Sequence, residues 1–244
     1  MVNGESMSEA VKQLSRDGLG ELLQRLSVQG YSVMGPQVEQ GTILYTSLDS
    51  VEALPWGYRE QQQPGSYRLE QSDEQRAFAW ANGPQALKPL FFAPEESLWQ
   101  VTKTDSGLSF SECLPSPEPR AIIGVRGCDL AALAIQDQHF LQGVEPDSHY
   151  ARRRENSFII AVNCSHPAAT CFCAATGDGP NAESGYDLLL DELDDGFLIT
   201  SGSDAGRLLL ESLPLEEATT EQQGAVSQQR QIATQQQRTL PQKN

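Results

Sequence analysis

The stretch AIIGVRGCDLAALAIQDQHFL, residues 121–141, together with FIIAVNC, residues 158–164, decides the fold of this chain. Each begins with a continuous apolar run, which is typical of a strand that is buried on both faces. Between them, Asp129 is a suitable N-cap for an amphipathic helix that extends to about Leu141. Strand, helix and strand make a βαβ unit, so we expect two parallel strands joined by a right-handed crossover.

Two cysteines directly follow the two strands of this unit, Cys128 after the first and Cys164 after the second. The carboxyl ends of parallel strands meet at one edge, which is where open α/β sheets usually bind ligands. Cys128 also lies at the start of the predicted helix, whose partial positive charge favours the thiolate that binds metal. Arg126 is placed to offset the negative charge of a thiolate site.

Cys171 and Cys173 follow in the loop TCFCAATGDGP, residues 170–180. In an extended C-x-C the two side chains point the same way, so one centre could take both. Four thiolates suit a 4Fe-4S or 2Fe-2S cluster, and they suit tetrahedral zinc equally well. A buried apolar role for single cysteines and thiol-disulfide chemistry at the C-x-C pair are further alternatives. Cys113 stands apart from the four, and we expect no ligand role for it.

The composition limits the classes of partner. With a net charge of -16 and a pI near 4.5, the chain is repelled by nucleic acid and by anionic lipid. Its first residues lack the pattern of a secretory signal, and its apolar runs are too short to cross a bilayer. We therefore expect a cytoplasmic protein that binds neither nucleic acid nor membrane, in which five cysteines are not structural disulfides.

The first half of the chain predicts an irregular α+β part. Residues 8–29 show helical spacing of leucines, with Asp17 as a candidate N-cap. Strands are predicted at SVMGP (residues 32–36) and TILYTS (residues 42–47), and further strand character, broken by Gly and Pro, at RAFAWANGPQALKPLFFAP (residues 76–94).

The second half completes an α/β fold with a βαβ-containing mixed sheet. YDLLLDEL and GFLIT, within residues 186–200, predict two strands around an Asp-Asp-Gly turn. Ser203 or Asp204 can cap a helix that Pro214 ends. From Glu216 onward the chain is rich in Gln, which predicts a solvated helix or a weakly ordered tail without a core face.

These segments suggest one cysteine-bearing domain over residues 1–215 and a Gln-rich tail or linker over residues 216–244. Residues 1–105 and 106–215 are candidate subdomains of that domain, because the irregular part ends near the first of these boundaries.

Four contiguous runs carry a resemblance to a known family. GVRGCDLAALAIQDQHF and DSHYARRRENSFIIAVNCSHPAATCFCAATGDGPNAESGYDLLLDEL, with YREQQQPGSYRL and ANGPQALKPLFF before them, resemble the N-terminal part of two related proteins. These are the beta subunit of cytoplasmic sulfhydrogenases and its counterpart in anaerobic sulfite reductase. The resemblance extends over most of residues 15–213.

The resemblance implies an iron-sulfur electron-transfer subunit rather than an enzyme on its own. It implies that Cys128, Cys164, Cys171 and Cys173 hold one 4Fe-4S cluster. Electrons would pass between a flavin-containing NAD(P)H-oxidising partner and a catalytic subunit. The family's C-terminal ferredoxin module, with two C-x2-C-x2-C-x3-C-P motifs, is absent from this sequence. We therefore expect either that the module is on a separate chain or that this chain has another role. The alternative function is a non-catalytic assembly module, free of metal or with structural zinc.

Overall fold

The structure is a computed structural model that describes residues 11–63, 65–83 and 87–235. In this part of the chain the strands are β1 (Lys12–Leu14), β2 (Ser32–Glu39), β3 (Thr42–Ser47), β4 (Tyr58–Gln63), β5 (Ser66–Gln71), β6 (Trp99–Thr104), β7 (Gly107–Glu112), β8 (Arg120–Val125), β9 (Ser157–Val162), β10 (Leu188–Leu193), β11 (Gly196–Ser201) and β12 (Glu216–Glu217). The helices are α1 (Arg16–Val28), α2 (Lys88–Phe91), α3 (Gly127–Leu141), α4 (Ser148–Glu155), α5 (Cys173–Thr176), α6 (Asp204–Glu211) and α7 (Thr220–Gln235).

One mixed sheet organises the molecule, with the strand order β12-β1-β11-β10-β9-β8-β2-β3. Four adjacent strands of this sheet, β10, β9, β8 and β2, are parallel neighbours. The outer strands pair antiparallel. The predicted α/β class and the predicted parallel pairing of β8 with β9 are therefore confirmed.

Helices cover both faces of this sheet, which is why β8 and β9 are apolar after their first residues. One face packs against Leu19, Leu22 and Leu26 of α1 and against Leu209 of α6. On the opposite face, α2, α3 and α4 contribute Phe91, Leu130, Leu133 and Tyr150 to a second core cluster. The residues of β8 and β9 that follow their first positions are buried, because each strand lies between these two layers.

Two predicted helix starts are wrong. The side-chain oxygen of Ser15, not that of Asp17, caps α1 by accepting a hydrogen bond from the backbone N–H of Gly18 at 3.0 Å. Asp17 already lies in the first helical turn, and the residues before Ser15 form β1 instead of helix. Residues 8–10 of the predicted helix lie outside the described residues. Likewise α3 begins at Gly127, and Asp129 lies inside it, accepting from the backbone N–H of Arg126 at 3.1 Å.

The segment predicted to have strand character over residues 76–94 contains no strand where it is described. Its first part, residues 77–81, is buried irregular chain, and α2 follows further on. Two hairpins that the sequence did not reveal flank this segment. One pairs β4 with β5 and the other pairs β6 with β7, and neither belongs to the large sheet.

The C-terminal predictions are confirmed in their main features. β10 and β11 form the expected antiparallel hairpin, and Ser203 caps α6 by accepting from the backbone N–H of Gly206 at 3.1 Å. The Gln-rich segment is helical over α7, with Val226 and Ala233 buried, so it has a small core face that its composition concealed. Residues 236–244 lie outside the described residues. None of the described helices is long and apolar enough to span a membrane.

Candidate functional site

Four cysteines line one cavity of about 420 Å³ at the carboxyl ends of β8 and β9. Cys128 lies in the first turn of α3, and Cys164 follows β9. Cys171 lies in the next loop, and Cys173 begins α5. Three separate regions of the chain therefore bring these four thiols to a single recess, whereas Cys113 is not among the residues that line it.

Backbone contacts hold the two cysteine-bearing loops together. The backbone N–H of Cys164 donates to the carbonyl oxygen of Pro180 at 3.1 Å. The backbone N–H of Asp178 donates to the carbonyl oxygen of Cys173 at 2.9 Å. Gly179 lies so close that a Cβ added there would be 3.1 Å from the Cys173 sulfur. A side chain at this position would require the Cys173 thiol or the loop to shift, so glycine favours this close approach.

Three of these thiols are protonated at neutral pH in the chain alone. Burial in the recess raises the pKa of Cys128 and of Cys164, and it raises the pKa of Cys171 to about 11. The residue Cys128 stays open to solvent at the cavity mouth, yet Asp129 and the neighbouring cysteines also raise its pKa. Desolvation and the neighbouring Asp129 therefore act against the Cys128 thiolate that the helix start is predicted to favour.

Arg126 forms the inner wall of the cavity and is only 2% exposed. Its guanidinium donates to the carbonyl oxygens of Phe78 at 2.7 Å and Trp80 at 2.9 Å, and it lies 4.7 Å from the centroid of the Trp80 ring. The buried Nε of Arg126 has no hydrogen-bond partner within the described part of the chain. A buried donor without a partner is costly, so the Arg126 Nε is a candidate to donate to a bound group.

Two buried carboxylates support this wall, and the sequence analysis missed both. Glu192 of β10 accepts from the backbone N–H groups of Ala77 at 2.6 Å and Phe78 at 2.8 Å. Glu60 of β4 accepts from the N–H of Ala81 at 2.8 Å. Burial raises the pKa of each carboxyl to about 7. The sequence did contain a signal for Glu192, because this acidic residue lies within an apolar run that was predicted to be a strand.

Polar side chains from β4, from the irregular segment that follows Trp80 and from the loop that carries the C-x-C pair line the rim of the cavity. The side-chain amide of Asn82 donates to the Asp129 carboxylate at 2.5 Å. The side-chain amide of Gln62 donates to the backbone carbonyl oxygen of Asn82 at 2.9 Å. Thr170, in the loop that carries the C-x-C pair, donates to Gln62 at 3.1 Å. The hairpin β4–β5, the buried segment and the cysteine loop are thereby linked around one opening.

Other candidate groups lie elsewhere. Arg153 forms an ion pair with Glu96 and Arg154 forms one with Asp137, and none of these residues lines the cavity of the cysteines. Among the described residues, the four cysteines of the cavity included, no three His, Cys, Asp or Glu side chains are arranged closely enough to hold a single metal ion.

Comparison with known proteins gives one partial similarity. The chain is 33% identical over 124 residues to sulfhydrogenase 2 subunit beta of Pyrococcus furiosus, which covers 49% of this chain. The match spans 33% of the length of that relative. It supports the family resemblance over about half of the chain. No protein-family profile and no solved structure matches the chain.

Proposed function

We propose that this chain is an iron-sulfur electron-transfer subunit of a hydrogenase- or sulfite-reductase-like redox complex. The observation that carries the proposal is the convergence of four cysteine side chains on one cavity at the edge of the parallel strands. The partial similarity to a subunit of a sulfhydrogenase gives independent support. In this role the chain transfers electrons between other subunits and catalyses no reaction by itself.

Cys128, Cys164, Cys171 and Cys173 would hold one cluster, of the 4Fe-4S type. The donor set fits, because iron-sulfur clusters take four thiolates and these four thiols share one recess. When bound, such a cluster supplies one-electron transfer. The raised pKa of Cys164 and Cys171 means that binding must displace their protons, so loading of the chain should become stronger as pH rises toward 8.

Arg126 would provide the positive charge and a hydrogen-bond donor beside the cluster. Its guanidinium is fixed by the Phe78 and Trp80 carbonyl oxygens, while its Nε has no hydrogen-bond partner among the described residues. Hydrogen bonds and positive charge near a cluster raise its reduction potential. Arg126→Lys keeps the charge but loses the planar fork, so we expect a lower midpoint potential in a spectroelectrochemical titration with iron content unchanged. An unchanged potential would exclude this role.

The partners of the complex follow from the same proposal. A flavoprotein that oxidises NAD(P)H would deliver electrons, and a catalytic subunit would receive them, with a separate ferredoxin-type chain as an intermediate carrier. Gln62, Asn82 and Thr170 line the same cavity as the four cysteines, and an electron donor or acceptor would approach at this cavity.

The test is the metal content and spectrum of the intact chain purified without oxygen. We expect about four irons and four acid-labile sulfides per chain and an electron paramagnetic resonance signal after dithionite. Cys171→Ser should lose the signal and most of the iron. Cys113→Ser is the matched control, because Cys113 lies outside the cavity, and it should keep both.

Each alternative has its own signature in this experiment. Zinc in place of iron, or anaerobic protein free of metal, would contradict the electron-transfer role and favour a non-catalytic assembly module. About two irons per chain would retain the role but assign a 2Fe-2S cluster. Loss of iron in Cys113→Ser together with its retention in Cys171→Ser would overturn the assignment of the ligands.

A further inference from the structure

The hairpin of β6 and β7 is exposed along its whole length. All residues of both strands are exposed, in contrast to the strands of the large sheet. The register pairs Trp99 with Glu112, Val101 with Phe110 and Lys103 with Leu108, so these six side chains share one face. The opposite face carries Gln, Thr and Ser side chains, including Thr102 and Ser109.

The first of these faces is apolar and lacks cover from the described residues. Trp99, Leu108 and Phe110 are each more than 60% exposed, and Val101 is 51% exposed. A lone two-stranded hairpin is marginally stable in water, so an apolar face on such a hairpin gains most from packing on another surface. Contiguous apolar patches of this kind mark interaction sites. We call this surface, formed by Trp99, Val101, Lys103, Leu108, Phe110 and Glu112, the hairpin face.

The two charges of the hairpin face lie at its opposite ends. Lys103 is four residues along β6 from Trp99, and Trp99 is paired with Glu112, so the two charges are separated by about 13 Å along the strands. At that separation they form no ion pair with each other. The charge pattern is nevertheless self-complementary, because reversing the direction of the hairpin exchanges its positive end for its negative end.

We propose that the hairpin face binds a second copy of this chain in an isologous contact. A two-fold axis that runs across the strands places Val101 and Phe110 of the two copies at the centre. The same axis brings the partner's Lys103 to the end that carries Trp99 and Glu112. Both ends then hold one cation near one carboxylate and one indole ring, and the apolar side chains between them are covered.

The small area of the hairpin face limits the strength of this contact. Two six-residue strands bury far less than the roughly 800 Å² per partner of a stable interface. The net charge of -16 on each chain also opposes association. We therefore expect a weak dimer, with a dissociation constant on the order of 100 μM at about 0.15 M salt, where charge repulsion is screened beyond about 8 Å.

Sedimentation velocity of the full chain between about 5 and 500 μM, a range that brackets such a weak contact, measures it directly. We expect the weight-average sedimentation coefficient to rise with concentration toward that of a dimer. Lys103→Glu alone and Glu112→Lys alone should each raise the dissociation constant at least about threefold, because each places like charges together at both ends. The combined variant exchanges the two charges and should return the constant to within about twofold of the original.

Matched controls lie on the opposite face of the same strands. Thr102→Glu and Ser109→Lys change the net charge in the same senses but point away from the hairpin face, so they should leave dimerisation unchanged. A chain that stays monomeric over the whole range would overturn the proposal. So would a dimer that is indifferent to the single reversals, or one that the combined variant fails to restore. Because all four positions are exposed, the far-ultraviolet circular dichroism of each variant should match the original.

Discussion

Two strand pairs of equal length show how differently this chain uses β-structure. β8 and β9 are six-residue parallel neighbours that helices cover on both faces. β6 and β7 are six-residue antiparallel neighbours with all side chains exposed. In the first pair, packing between two layers fixes the strand ends and the cysteines that follow them. In the second pair, the two strands form a separate sheet that the ladder and cross-strand contacts maintain.

The difference places rigid and adaptable surfaces in separate parts of the molecule. A cofactor site needs ligands that stay in place, and the buried strands supply that by close packing. A weak contact between proteins needs an accessible face, but it does not need side chains that are fixed by close packing. Burial indicates that the β8–β9 pair contributes more to the free energy of unfolding than the β6–β7 pair does. Substitutions in the two pairs can test this.

The largest effect is expected at Ile160 in β9. This side chain is fully buried and lies between Ile123 and Leu188 on the neighbouring strands. Ile160→Ala should lower the free energy of unfolding by about 2 to 5 kcal/mol, since it removes buried methylenes and leaves a cavity. Ile135→Ala is the control, because Ile135 is 69% exposed, and it should change stability by less than about 0.5 kcal/mol. Equal losses in urea denaturation would contradict the contrast.

A smaller effect concerns pH and Glu192. Its folded pKa of about 7 exceeds the usual value of 4.5, so the folded chain holds a proton on this carboxyl that the unfolded chain releases. The resulting stabilisation is complete below pH 4.5 and is lost as pH rises through 7. Between pH 5 and pH 8 it should contribute a decrease of about 1 to 3 kcal/mol in the free energy of unfolding.

Glu192→Gln isolates that contribution, because it removes the titrating group and keeps one acceptor for the buried segment. The variant should show a flatter pH dependence of its urea midpoint than the original chain, whatever its absolute stability. His166, whose pKa burial lowers, titrates in both proteins and shifts stability in the opposite sense, so it cancels in the comparison. Parallel pH profiles would show that Glu192 is ionised in the folded chain throughout this range.

The cap of α1 is expected to contribute less. Ser15→Ala removes the oxygen that accepts from the Gly18 N–H and should lower the free energy of unfolding by about 1 kcal/mol. Asp17→Ala should cost less, since Asp17 gives only a favourable interaction with the helix dipole. If thermal unfolding finds Asp17→Ala the more damaging, the N-cap assigned from the structure is wrong.

The smallest effect is expected in the exposed hairpin. Val101→Ser removes a cross-strand contact with Phe110 from a solvated surface, so the free energy of unfolding should change by less than about 0.5 kcal/mol. The measurement is made on dilute protein, at which self-association does not contribute. A loss comparable to that of Ile160→Ala would show that the hairpin is part of the cooperative core.

The second half of the fold was predictable because its signals are local. Apolar runs marked β8 and β9, the Asp-Asp-Gly turn marked the hairpin of β10 and β11, and Ser203 marked the start of α6. Residues 77–81 misled the prediction, because their hydrophobicity reflects burial as irregular chain. The backbone hydrogen bonds of that segment are supplied by Glu192, Glu60 and Arg126, which lie far away in sequence.

By itself, the sequence determined that two parallel strands would carry cysteines at their carboxyl ends, since the apolar runs and the succession of strand, helix and strand along the chain follow from local chemistry. Only the tertiary structure decided what surrounds those thiols. It brought the C-x-C loop to the strand edge and buried Arg126 behind it. It also placed two carboxylates where desolvation raises their pKa to about 7. These features depend on which distant segments of the chain come into contact. Burial sets both the pKa of a carboxyl and the cost of an unpaired donor, and it exists only after those segments have packed together.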